Sequence, residues 1–182
     1  MTTTRPGLPG DPDPGATARR MIRVDHAGEY GAARIYAGQL AVLRRSRTAP
    51  VLREMRAQEQ QHLDGFAELV VCRRVRPTAL LPLWHLAGFA LGAATAALGE
   101  HAAMACTVAV EEAIDAHYAG QIAALDDSEA ELRTTIARFR DDELRHRDLA
   151  LANGARQARG YHLLSAAIKA GCRAAIAISE RL

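Results

Sequence analysis

Two motifs of one kind, Glu59-x-x-His62 and Glu143-x-x-His146, each place a carboxylate and an imidazole three residues apart. On a helix that spacing sends both side chains from one face, about a turn apart. Each motif is preceded, 30 and 32 residues earlier, by a further glutamate, Glu29 and Glu111. Four carboxylates and two imidazoles facing inward from four helices are the ligand set of a carboxylate-bridged di-iron or di-manganese centre. Two divalent cations would neutralise the four carboxylates, and oxygen-rich ligation with open positions suits Fe(II) and dioxygen. One such motif alone is weak, because E-x-x-H pairs arise by chance on solvated helix faces. Two copies, each led by a glutamate at near-equal spacing, make chance a poor account.

The elements that must carry these residues are helices. From Thr17 onward apolar positions recur at three and four residues, and no alternating β-branched stretch competes. A first helix over 17–46 sets Ile22, Asp25, Glu29, Tyr36, Leu40 and Leu43 on one stripe. A second, from Pro50 to about 74, carries Leu52, Met55, Glu59, His62, Phe66 and Leu69. A later one, 99–126, carries Met104, Val108, Glu111, Asp115, Tyr118, Ile122 and Leu125. The next is expected to start at a capping box made by Ser128 and Glu131, and it carries Leu132, Ile136, Phe139, Glu143, His146 and Ala150. A last helix spans about 160–180. The acidic residues and histidines thus sit where the period calls for Leu or Ile, positions too costly for them without compensation. The same register selects Glu111 over Glu112, which points about 100° off the stripe. Asp25 and Asp115 share the inward stripe and are candidate acceptors for ligand histidines. His26 competes as a ligand, but the second half has no equivalent. His117, Tyr118 and Tyr161 are candidates for substrate binding or electron transfer, weighed against a packing role.

Composition sets the outer bounds. At 182 residues the chain suits one domain, here 17–182, behind a tail over 1–16 that holds most of the prolines and has almost nothing to bury. With 23 basic and 21 acidic residues it lacks the basic excess of a nucleic-acid binder. Cys72, Cys106 and Cys172 form no C-x-x-C pair, which argues against a zinc knuckle or a disulfide framework. With no apolar leader at the N-terminus, a cytoplasmic location is expected.

The segment 79–98 carries no charge and is long enough to suggest a membrane span. If it crossed, the helices on either side would lie on opposite faces of the bilayer and their ligands could not meet. It is therefore expected to be an apolar crossover helix that lies in the interface and attaches the protein peripherally.

The segments RVDHAGEYGA (23–32), EQQHL (59–63), CTVAVEEAIDAHY (106–118), RDDELRHRD (140–148) and AIKAGCRAAIAISERL (167–182) resemble the demethoxyubiquinone hydroxylases of ubiquinone biosynthesis. The resemblance covers nearly everything after residue 17. It implies an all-α, ferritin-like four-helix bundle with a di-iron site, plus an apolar crossover helix and a C-terminal helix. It implies that Glu29, Glu59, His62, Glu111, Glu143 and His146 hold two irons, and that the pair His117 and Tyr118 passes electrons to them. It further implies a reaction: dioxygen hydroxylates a polyprenylated methoxy-methyl-benzoquinol at the cytoplasmic face of the cell membrane. The tail would lie along Leu80, Leu81, Leu83, Trp84, Phe89 and Leu91. The electron donor stays open among a nicotinamide such as NADH, a reductase and the quinol itself, as do a homo-oligomer and a biosynthetic complex.

Three other readings compete. An iron-storage ferroxidase of the same fold would use the same six ligands but has no need of the uncharged 79–98 segment. A manganese catalase would differ in its metal, and a helical interaction module would bind none.

Overall fold

A computed structural model describes residues 14–182, so residues 1–13 of the tail expected over 1–16 lie outside the described residues. Six helices follow in order: α1 (Pro14–Leu43), α2 (Ala49–Cys72), α3 (Leu81–Ala97), α4 (Glu100–Ala124), α5 (Ala130–Ala152) and α6 (Tyr161–Ser179). Short 3-10 turns lie at Asp127–Glu129 and Ala155–Gln157. The chain is all-helical over the described residues. The first helix is already formed at Pro14, the first described residue, earlier than the expected 17.

The α5 start differs from expectation. Ser128 does not cap the helix. Its backbone N–H and its hydroxyl both bond Asp126 Oδ1, at 2.9 and 2.5 Å, closing a turn before α5 begins. An aspartate folding back on the backbone two residues on competes with a cap for the same donors, so the Ser128–Glu131 capping box is not formed.

Long-range bonds give the topology. Gln121 reaches Asp25 and Gln39 reaches the carbonyl of Ala103, so α1 and α4 are antiparallel. His62 meets Asp142 and Gln58 meets His146, so α2 and α5 are antiparallel too. Since α2 turns back on α1 through a short loop, α2 and α4 run in the same direction, and the link between them must retrace the bundle's length. Helix α3 is that link. At 17 residues it covers roughly 25 Å.

It runs parallel to α1, with Gly88 over Gly31 and Gly92 over Ile35. The approach depends on bare backbone: a Cβ on Gly92 would overlap the Ile35 carbonyl, and one on Gly38 the Phe89 carbonyl. Seated there, α3 turns Leu83 and Leu86 outward, 52% and 69% exposed. No helix among the described residues is long and apolar enough to cross a membrane, in keeping with the expectation that 79–98 does not span one.

The interior has two main apolar layers. One gathers Ile22, Phe66, Leu132, Ile136 and Phe139; the other gathers Tyr36, Leu52, Met55, Met104 and Val108. On every helix of the four-helix core the stripe position between these layers is a glutamate.

Candidate metal centre

Those four glutamates and both histidines are buried, none more than 1% exposed. They form two groups of possible ligands: Glu29, Glu59, His62 and Glu143; and Glu59, Glu111, Glu143 and His146. Within each group one ligand atom per residue lies within 4.8 Å of the others. Glu59 and Glu143 belong to both, as bridging carboxylates would, while Glu29 and Glu111 each belong to one.

The imidazoles are oriented alike. His62 Nδ1 faces Glu143 Oε1 at 3.0 Å and Glu29 Oε2 at 3.5 Å. His146 Nδ1 faces Glu59 Oε1 at 3.0 Å and Glu143 Oε2 at 3.1 Å. Both Nε2 atoms point away, to Asp142 Oδ2 at 3.1 Å from His62 and to Gln58 Oε1 at 3.0 Å from His146. With acceptors at Nε2, each ring would keep its proton there and offer the Nδ1 lone pair to a bound cation. Gln58 and Asp142 were not among the expected residues. A signal existed: each immediately precedes the glutamate of an E-x-x-H motif.

The glutamates that belong to one group are held by tyrosines from the opposite half. Tyr36 donates to Glu111 Oε1 at 2.6 Å, and Tyr118 donates to Glu29 Oε1. Each tyrosine lies seven residues, two turns, after its own half's glutamate, so the bonds cross in a matched pair. Burial and the facing glutamate push both phenols well above their usual range, which keeps them neutral donors.

Glu112, beside Glu111, is turned out to Lys169 Nζ at 2.7 Å. Asp115, expected to face inward, instead accepts from Arg140 Nε at 2.6 Å and contacts no histidine ligand. It lies beyond Glu111 toward the helix edge, where α5 offers a guanidinium. Asp25 is buried, but its partners are Gln121 Nε2 at 2.7 Å and His117 Nε2 at 3.2 Å. His117 borders a surface cavity of about 290 Å³ walled also by Arg20, Met21 and Val24. His26 is half-buried and belongs to neither group. Tyr161 is packed against the apolar layer around Met55, with its ring edge on His162.

Electrostatics favour cations here. Burial raises Glu59 and Glu111 far above the carboxylate range, and the charge on Glu143 adds to it. Burial opposes ionisation of Glu143 as well, but the imidazoles of His146 and His62 beside it hold it down to about 2. Burial acts against the charged form of His62, yet Glu143 and Glu29 lift it to about 10. Protons thus do part of the work that cations would do. Glu29 Oε2, both Glu59 oxygens, Glu111 Oε2, Glu143 Oε1 and His62 Nδ1 are buried without a hydrogen bond. Buried polar atoms without partners are rare in folded proteins. Six of them converging in one chamber fit a pair of divalent cations.

Residues 16–179 match the family described as ubiquinone biosynthesis protein COQ7. A Rhodospirillum rubrum protein named 3-demethoxyubiquinol 3-hydroxylase is 61% identical over 99% of this chain and 85% of its own. A human protein named NADPH-dependent 3-demethoxyubiquinone 3-hydroxylase, mitochondrial, is 56% identical over 92% of this chain and 79% of its own. A Saccharomyces cerevisiae protein named 5-demethoxyubiquinone hydroxylase, mitochondrial, is 43% identical over 90% and 77%.

Proposed function

The chain belongs to the COQ7 family of ubiquinone biosynthesis proteins, and from that premise we propose that it is a di-iron monooxygenase. Its substrate in this reading is a polyprenylated 6-methoxy-3-methyl-1,4-benzoquinol, hydroxylated on the ring. The observation that carries the reading is the pair of buried ligand groups sharing Glu59 and Glu143, in a chain whose relatives are named as hydroxylases of this quinone.

Glu29, Glu59, His62 and Glu143 would hold one iron, and Glu59, Glu111, Glu143 and His146 the other. Bound iron would supply activation of dioxygen, one atom going to the ring and the other leaving as water. The protein's own part is positional. Tyr36 and Tyr118 fix the outer carboxylates, while Gln58 and Asp142 fix the imidazole rings. The apolar layers above and below keep bulk water from the chamber. His117, at the wall of the surface cavity and bonded to Asp25, gives electrons and protons a route inward beside Tyr118. A nicotinamide is the proposed electron source, in line with the human relative's name.

The protein attaches peripherally, at the cytoplasmic face of the cell membrane. The exposed Leu83 and Leu86 of α3 enter the acyl region, and the polyprenyl tail lies along the same helix. Tyr161 packs against the apolar layer that contains Tyr36 and is a candidate contact for the quinol on its way to the site.

The test is single-turnover incubation of iron-loaded protein with demethoxyubiquinol, NADPH and ¹⁸O₂. The expected product carries one ¹⁸O on the ring. Iron oxidised and retained with no ring product would favour the ferroxidase reading, and oxygen evolved from peroxide by manganese-loaded protein would favour a catalase.

A further inference from the structure

The six ligands repeat between the two halves of the chain, but their surroundings do not. The residue before each E-x-x-H glutamate bonds the opposite half's histidine, and these two residues differ in charge. His62 has the carboxylate of Asp142 and His146 the amide of Gln58. A second mismatch lies four residues before each glutamate that belongs to a single group, one turn away on the same face. Before Glu29 that residue is Asp25, 2% exposed; before Glu111 it is Thr107, 1% exposed. Both additional carboxylates therefore flank the Glu29–His62 group, and both neutral counterparts flank Glu111–His146.

The nearby cations do not erase this difference. Arg145 pairs with Asp142, but its side chain is 65% exposed and largely screened by water. Asp25 shares His117 and Gln121, and Oδ2 of Asp25 remains buried without a partner. An imidazole whose N–H is held by a carboxylate is a stronger donor to a cation than one held by an amide. Buried negative charge beside it acts in the same direction.

We propose that the two metal positions are unequal, the one at Glu29 and His62 taking its cation first and binding it more tightly, with Asp142 as the positioning residue that sets the difference. This rests on the di-metal reading above.

Crystals of metal-free protein given one equivalent of Mn(II) should show anomalous density at the Glu29–His62 position. Titration with Co(II), followed calorimetrically and by its visible absorption, should resolve two steps separated by about 10–100-fold, the usual scale of such outer partners. Asp142→Asn should weaken the tighter step toward the other. Gln58→Glu should strengthen the weaker one. Circular dichroism would establish that each variant is folded. Equal occupancy, first occupancy at Glu111–His146, or an Asp142→Asn effect equal on both steps would overturn the proposal. A protein that takes up no metal at all would instead overturn the di-metal reading on which it stands.

Discussion

Glu111 and Glu112 are neighbours in sequence with opposite environments, one grouped with two other buried carboxyl groups and His146 and the other paired with Lys169 near solvent. Glu111→Gln should therefore cost most of one bound metal, whereas Glu112→Gln should leave metal content near the wild-type level, as measured by elemental analysis; the reverse result would move the ligand by one residue. Protonation gives a second expectation. Without metal, burial and neighbouring charge raise Glu59 and Glu111, and carboxylate partners raise His62 to about 10 and His146 in the same direction. Each raised group must lose its proton to ligate, so a number of protons should be released on metal binding and affinity should fall as pH falls. Calorimetry in buffers of different ionisation enthalpy reads that number, and a value near zero would contradict it. The six ligands were legible in sequence because charge at a core position is costly enough to stand out against an apolar period. Gln58 and Asp142 were not, because each sits one residue off the stripe, and only the α2–α5 contact shows that they bond across it. Asp115 lies on the stripe yet faces out, since the nearness of Arg140 is a tertiary fact that no period contains.

At the scale of the element, α3 is where the sequence was least explicit. Uncharged length alone allowed a span, a buried crossover or an interfacial helix. The glycine contact with α1, which a composition count cannot show, seats α3 against the bundle. Gly92→Ala places a methyl group against the Ile35 carbonyl, so α3 must shift outward, at about 1–3 kcal/mol for overpacking. The midpoint of thermal unfolding should drop accordingly, while Gly120→Ala, with open space around its Cβ position, should not lower it. The exposed side of α3 makes a separate claim. Burying Leu83 and Leu86 in lipid would contribute roughly 1.5–3 kcal/mol each, enough for reversible attachment. Leu83→Glu combined with Leu86→Glu should leave metal content intact, release the protein from vesicles in a flotation assay and weaken turnover of long-tailed quinol. A double variant that still floats with lipid would remove α3 from the membrane contact. The boundaries of α2, α4 and α6 were readable from period and punctuation. The start of α5 was not, because Asp126 competes for the donors that a capping serine would satisfy.

The whole molecule is a bundle divided by a charged plane: two apolar layers bracket four carboxyl groups and two imidazoles, with Tyr36 and Tyr118 tying the halves together across it. Packing alone cannot make that plane comfortable, since unpaired carboxylates in a medium of low polarity repel one another and lack the solvation that they would have in the unfolded chain. Cations bound to the native state and not to the unfolded one shift the folding equilibrium by about 2.7 kcal/mol per site at a hundredfold excess over the dissociation constant. For a chain of this size each kcal/mol moves the unfolding midpoint by roughly 2–4 °C. Filling even one position should raise it by about 5–10 °C. Scanning calorimetry of metal-free protein against protein with one and two equivalents of Fe(II) under anaerobic conditions would read the increments. The first equivalent should give the larger rise, because it relieves Glu59 and Glu143, which both groups share. The same scans on Glu143→Gln, which removes a shared carboxylate, should show a smaller difference between the metal-free and metal-loaded forms. Identical midpoints with and without metal in the wild-type chain would mean that the plane is held by its protons alone and that the glutamates are not a metal centre.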